Sequence, residues 1–276
     1  MRLLRRLRGR RVEPSRPEPA AVTETEWERL AAGFAADGPG VIGATGGSGT
    51  RVLARVVRAA GMYVGSDLNR SEDALDFAAF SDRWVDTHAT GAAPAEMTAE
   101  LRALVARQHA EAAGRPWGWK EPRSLYLLPL LSAQLPSLRF VHVIRDGRDM
   151  ALSSNQVQLR KHGEAVLGSS TEPEELRSIS LWREVNLRAA DFGEAELGGR
   201  YLRLRFEDLC ADPAGRVTAV LAFFGLEGDA EAIAAAEVQV PETLGRWRDA
   251  PAELRAALDE RAADALRRFG YQSSSA

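Results

Sequence analysis

Apolar positions in this chain recur with two alternating periods, and the switches between them mark the elements. Val41-Ile42-Gly43-Ala44 is a short apolar run, followed by a glycine-rich stretch. Val52, Leu53, Val56, Val57 and Ala60 then repeat at i, i+1, i+4, i+5 and i+8, so the order is strand, loop, helix. Upstream, a short helix is predicted over Trp27–Ala36, broken at Gly38-Pro39-Gly40. Residues 96–110 carry helical spacing through Leu101, Leu104 and Val105. Trp117-Gly118-Trp119 leads into a strand ending near Lys120, and Glu121, which precedes Pro122, must be extended. Leu125–Leu131 reads as helix up to Leu135-Pro136, and Phe140-Val141-His142-Val143-Ile144 is the clearest buried strand, with His142 a core histidine. A helix is expected after Asp149. Leu202, Leu204 and Phe206 alternate with Arg203 and Arg205 as a strand, and Val217, Val220, Leu221 and Phe224 form the next helix. One last helix is predicted over Ala252–Phe269. Strands separated by helices imply an α/β fold, a parallel β-sheet flanked by helices on both faces.

Composition narrows this picture. The 276 residues, 45% hydrophobic and 27% charged, are ordinary globular values that permit one large core. The division expected is a basic, proline-containing arm with a short helix over 1–37 and a single α/β domain over 38–272. The net charge of −3 conceals six arginines (2, 5, 6, 8, 10 and 11) within residues 1–12. Beyond them 30 basic residues face 39 acidic ones, a balance of −9 that argues against nucleic acid as a partner of the body. Leu3, Leu4 and Leu7 among the arginines suit a weak contact with an anionic membrane surface, while Pro14 to Pro19 suit a solvated tail. A single cysteine, Cys210, makes no internal disulfide, and no Cys/His cluster offers a metal site, so a cytoplasmic protein without a metal is expected.

In a parallel sheet, ligands bind beyond the carboxyl ends of the strands, so the residues following each strand carry the functional signal. After the first strand comes Gly43-Ala44-Thr45-Gly46-Gly47-Ser48-Gly49-Thr50-Arg51, whose backbone amides and following helix dipole can cradle a phosphate or sulfate. It departs from G-x-x-x-x-G-K-[ST], which needs Gly at Ala44 and Lys at Thr50. After the clearest strand comes Arg145-Asp146-Gly147-Arg148-Asp149. Here Arg145 can present a fork to a phosphate, Ser153 can add a hydroxyl and either aspartate can cap a helix, although pairing to those aspartates competes, above all for Arg148. The third place is Trp119-Lys120-Glu121-Pro122-Arg123. The chain holds only two lysines, Lys120 and Lys161, and a lysine at a strand end suits work that needs a compact charge.

These three segments together resemble the sulfotransferases that use 3'-phosphoadenosine 5'-phosphosulfate (PAPS), a P-loop NTPase-like fold. Gly46 to Thr50 resemble that family's loop for the 5'-phosphosulfate, and Arg145 with Ser153 its 3'-phosphate contacts. Lys120-Glu121-Pro122 is similar to the Lys-acid-Pro segment of the tyrosylprotein and carbohydrate branches, and Leu204 to Leu209 and Gly245-Arg246-Trp247-Arg248 also look like the family. The resemblance spans roughly residues 38–272.

What it implies is transfer of a sulfuryl group from PAPS to a hydroxyl or amine of a small-molecule, lipid or carbohydrate acceptor, with release of 3',5'-ADP. Gly46, Gly47, Ser48, Gly49, Thr50, Arg51, Arg145, Ser153 and Arg246 would hold the donor, and Lys120, Asp73 and Arg51 would be catalytic. Family bases fall between the glycine-rich loop and the Lys-acid-Pro segment, where Asp67, Glu72, Asp73, Asp76 and His88 stand, Asp73 being preferred; Ser71-Glu72-Asp73 could equally start a helix. The family usually has a cation before Ser-Gly-Thr, and Gly47 stands there instead. Its task would pass to Arg51 or, by preference, Lys120, and Gly47→Lys is expected to keep or raise activity. A small-molecule kinase with a P-loop-type loop, or a nucleotide-binding homologue without transfer, are the alternatives; the missing Gly-Lys-[Ser/Thr] speaks against the kinase.

Overall fold

A computed structural model describes residues 17–34 and 38–271. The arginine-rich arm 1–12 lies outside the described residues. Four parallel strands build the sheet: β1 (Gly40–Ala44), β2 (Gly118–Lys120), β3 (Arg139–Ile144) and β4 (Tyr201–Arg205), in the order β2-β1-β3-β4. The register sets Ile42 beside Lys120 and Val141, and Ile144 beside Arg205. Gly40 and Gly118 are partners in it, and a Cβ on Gly118 would fall 1.7 Å from the Gly40 carbonyl oxygen, so this edge closes only on glycine.

The alternation of each strand feeds two cores, one per face. Val41 and Phe140 join Trp117 and Trp119 on one side, under α1 (Glu24–Gly33), α3 (Leu75–Ala89), α4 (Ala95–Ala112) and α5 (Leu128–Gln134). Ile42, Val141 and Val143 face α2 (Thr50–Ala59) and later helices on the other. Both faces are thus covered, as the pattern predicts. After β3 come α6 (Gly147–Ala151), α7 (Val157–Leu167) and α8 (Glu174–Phe192). After β4 come α9 (Phe206–Ala211), α10 (Pro213–Phe224), α11 (Ala230–Glu237), α12 (Ala252–Arg261) and α13 (Ala263–Arg268). Among the described residues no helix is long and apolar enough to cross a membrane.

Five expectations are corrected. The first helix starts earlier, at Glu24, because Thr23 and Glu26 form a reciprocal capping box. Its Trp27 and the capping Phe34 are buried, Phe34 against the rings of His109 and Trp117, so the packed unit begins before residue 38. The helix after β3 opens at Gly147, capped by Asp146, and Asp149 lies inside it. Ser71-Glu72-Asp73 does not start a helix, since Glu72 sits at φ +64° and α3 begins at Leu75. The final helix divides at Ala262 (φ −123°, ψ 23°), and the resulting pair still buries Leu258 and Leu266 in one cluster with Phe269.

Candidate functional site

A cleft of about 760 Å³ opens where β1, β2 and β3 end. Its floor is the loop from Gly46 to Thr50 and the first turn of α2. Gly47 (φ +89°) and Gly49 (φ +90°) occupy the left-handed region that glycine alone enters freely. A Cβ on Gly49 would lie 2.2 Å from the Phe206 ring, so the aromatic at the exit of β4 underpins the loop. Six basic side chains line the cleft (Arg51, Arg55, Lys120, Arg123, Arg145, Lys161) against four acidic ones, a balance suited to an anionic ligand.

Arg145 enters from the end of β3. One terminal nitrogen is held by Asp149 (2.9 Å) and by the Thr243 carbonyl, while its Nε is buried without a hydrogen-bond partner. That unused donor on the cleft wall fits an oxyanion. Arg148, by contrast, is consumed by Asp146 (2.7 Å) and Asp259 (2.8 Å) and packs over the Trp247 ring. Asp149 is a hub, accepting also from the amides of Gly245 (2.7 Å) and Trp247 (3.1 Å).

Lys120, at the end of β2, is 2% exposed. Its Nζ donates to the Ser71 carbonyl (2.6 Å) and to Asp73, whose other carboxylate oxygen accepts from Asn69 (2.8 Å). Burial lowers the Lys120 pKa, and Asp73 opposes that shift. Two residues proposed separately from sequence are therefore one ion pair, held by an Asn69 turn whose side-chain oxygen accepts from the amides of Ser71 and Asp73. Asp73 is the one of the five candidate bases that lines the cleft. Glu72 is taken by Arg58 and Arg55, Asp76 pairs with Arg107 (2.6 Å), Asp67 stays outside, and His88 lies far along α3. Arg51 is exposed on the cleft wall, and no hydrogen bond or ion pair to another described residue engages it.

Three expected donor contacts are not in the cleft wall. Ser48 is fully buried, its hydroxyl donating to the Thr45 carbonyl (2.7 Å). The Ser153 hydroxyl accepts from the Asn155 amide (3.2 Å), and it is Asn155 that reaches the cleft. Arg246 turns to the carbonyls of Thr243 (3.3 Å) and Leu152 (3.4 Å). The expectation for Gly47→Lys is also revised. At φ +89°, with Met150 Cε 3.2 Å from the Cβ position, any side chain at residue 47 is strained.

Sequence reasoning missed much of the opposite wall. Glu121 is 2% exposed and bonded to Ser81 (2.8 Å) and Arg123 (2.9 Å), and burial pushes its pKa up. Arg123 continues to Asp82, which accepts from Lys161 (2.6 Å) and so joins α3 to α7. Gln158 borders Gly46 and accepts from the Tyr126 hydroxyl (3.1 Å). The lone second lysine was a signal for this wall, although no pattern had placed it on a helix.

Comparison with known proteins agrees with this architecture. The solved sulfotransferase domain of the Synechococcus PCC 7002 olefin synthase superposes with a TM-score of 0.55 at 18% identity, covering 85% of this chain and 94% of that one. A sulfotransferase from Mycobacterium tuberculosis H37Rv gives 0.52 at 16% identity, over 87% and 80%. A mouse sulfotransferase solved with PAP gives 0.50 at 13%, over 84% and 85%. At such identities the likeness is one of fold. Human carbohydrate sulfotransferase 6 is 36% identical over 110 residues, 36% of this chain and 28% of that protein, and human carbohydrate sulfotransferase 5 is 36% identical over 111 residues. The chain thus spans under a third of the length of these curated relatives. The sequence model of the Sulfotransferase family matches residues 45–231, from the glycine-rich loop through α10, and the chain belongs to that family.

Proposed function

We propose that this protein transfers a sulfuryl group from PAPS to the hydroxyl or amine of an acceptor bound in the cleft. The observation carrying the reading is the convergence of the glycine-rich loop, Arg145, and the Lys120–Asp73 pair on one cation-lined cleft. The residues fit the donor: Arg145 keeps a buried donor unused, and Gly46, Gly47, Gly49 and Thr50 of the loop face the same cleft. When bound, PAPS supplies the sulfuryl group and departs as 3',5'-ADP (PAP).

The loop amides and the amino end of α2 hold the 5'-phosphate side, and Arg145 holds the 3'-phosphate. Lys120 offsets the negative charge that grows at the leaving oxygen, worth most in a dry site. Asp73 takes the acceptor's proton. Arg51 is the second cation at the loop. Positioning and neutralisation supply most of the acceleration, as in phosphoryl transfer. The relatives named as carbohydrate sulfotransferases make sugars the first acceptors to try, ahead of lipids and phenols.

Thermal unfolding with ligands tests the reading. PAP at a hundredfold excess over its Kd is expected to stabilise the chain by about 2.7 kcal/mol relative to the free protein, and ADP or 5'-AMP at the same concentration by less. Equal stabilisation by ATP with magnesium would favour the kinase, and PAP binding without transfer to any acceptor would leave a nucleotide-binding homologue.

A further inference from the structure

α3 and α7 run side by side away from the cleft. At their amino ends Leu75 and Val157 line it; Asp82 meets Lys161 (2.6 Å) and Asp86 meets His162 (2.7 Å) further along. At their carboxyl ends lies a second, separate cavity of about 200 Å³. Ten residues of helix, about 15 Å, separate Leu75 from Val85, so this space is no extension of the first.

Its walls are Val85, Leu125, Val166, Val185 and Phe192, and no carboxylate lines it. Three polar groups do. Tyr126 is occupied by Gln158. His88 has Nδ1 buried without a partner, and burial keeps the ring neutral by lowering its pKa. An orphaned N–H is rarer than an orphaned acceptor, so the proton belongs on Nε2, the ring's open nitrogen and a donor. Arg188 is the third; its Nε donates to Glu184 (2.6 Å), and its side chain is 61% exposed, leaving the terminal nitrogens free at the rim. His162, 1% exposed and 5.9 Å from the Tyr126 ring, has Nε2 buried without a partner as well.

We propose that this cavity is a second ligand site, taking a compact apolar monocarboxylate whose tail fills the aliphatic walls and whose head meets His88 Nε2 and Arg188. The size suits a tail of about eight non-hydrogen atoms, since an apolar space of about 150 Å³ accepts the six of benzene. A cation at the rim with no acid in the lining selects an anionic head over a neutral one. The site is independent of sulfuryl transfer and is tested without it.

Octanoate is the probe, titrated calorimetrically into the full chain. Saturable one-site binding with a Kd below 1 mM is expected from a tail of this size. 1-Octanol and Arg188→Glu should each bind at least tenfold more weakly, and Ala89→Trp, which fills the cavity, should abolish the heat. A Tm within about 3 °C of wild type in both variants reports that the fold is intact. Absence of saturable octanoate binding to the wild-type chain, equal affinity for 1-octanol, or undiminished binding by Arg188→Glu would each overturn the proposal.

Discussion

The contact between Lys120 and Asp73 changes what a mutation at either residue measures. Lys120→Ala should lower kcat by about 10²–10³-fold, and Lys120→Arg should not restore it, because a planar fork cannot replace an ammonium set between the Ser71 carbonyl and Asp73. Asp73→Asn alone should cost about 10²-fold with PAP affinity nearly unchanged. Because the two act as a pair, the double variant should be scarcely worse than Lys120→Ala, a non-additivity read from single-turnover rates in a double-mutant cycle. Fully additive losses would mean that the residues act independently. Gly47 makes a second case: with φ +89°, Gly47→Lys should destabilise the chain by about 1–2 kcal/mol, seen as a Tm a few degrees lower. An unchanged Tm would show that the loop can relax to admit the side chain.

Between β3 and the carboxyl-terminal segment, one carboxylate connects elements distant in sequence. Asp149 on α6 accepts from Arg145 and from the amides of Gly245 and Trp247, and it is 1% exposed. Asp149→Ala leaves a buried guanidinium group and two amides short of acceptors, so a stability loss of about 3 kcal/mol is expected, with PAP affinity down at least tenfold. Urea unfolding and calorimetry check the two parts separately. β1, β3 and the α2 helix were legible because each carries an unbroken period, and Lys120 was legible as a scarce residue at a strand end. The wall built by α7 was not: the apolar positions of VQLRKHGEAVL (157, 159 and 165–167) keep no helical period and residue 163 is glycine, so its helix is fixed by packing on α3 and α8 rather than by pattern. The turn that carries Ser153 was not legible for a related reason. It is organised by buried Gln156, which donates to the carbonyls of Met150, Ala151 and Ser153, and no local signal marks a glutamine for that task.

For the molecule as a whole, the buried His142 sets an acid limit. Asn186 gives its amide to the Trp182 carbonyl, so its oxygen accepts from His142 Nε2 (2.8 Å), and Nδ1 accepts from Tyr201 (2.6 Å). Burial pushes the imidazole down to about 3 from an ordinary 6.5. The unfolded chain therefore takes up this proton first. Stability is complete above pH about 6.5 and falls as the pH drops toward 3, by at most about 1.4 kcal/mol per pH unit. Glu121 and Glu207, raised by burial, work in the opposite sense and offset part of that loss. Urea midpoints at pH 7.5, 6 and 5 should show the decline, and His142→Gln should make it shallower, the remaining slope coming from His88 and His162, which burial also lowers; a slope unchanged by His142→Gln would contradict the assignment. The support of the glycine-rich loop by Phe206 carries one more consequence. The loop at 46–50 is translated early, while the ring beneath it arrives some 155 residues later, once the last strand has been made. A nascent chain on the ribosome consequently holds no finished glycine-rich cradle until β4 has left the exit tunnel, and an anion present during synthesis cannot act as a template for the earlier half of the fold.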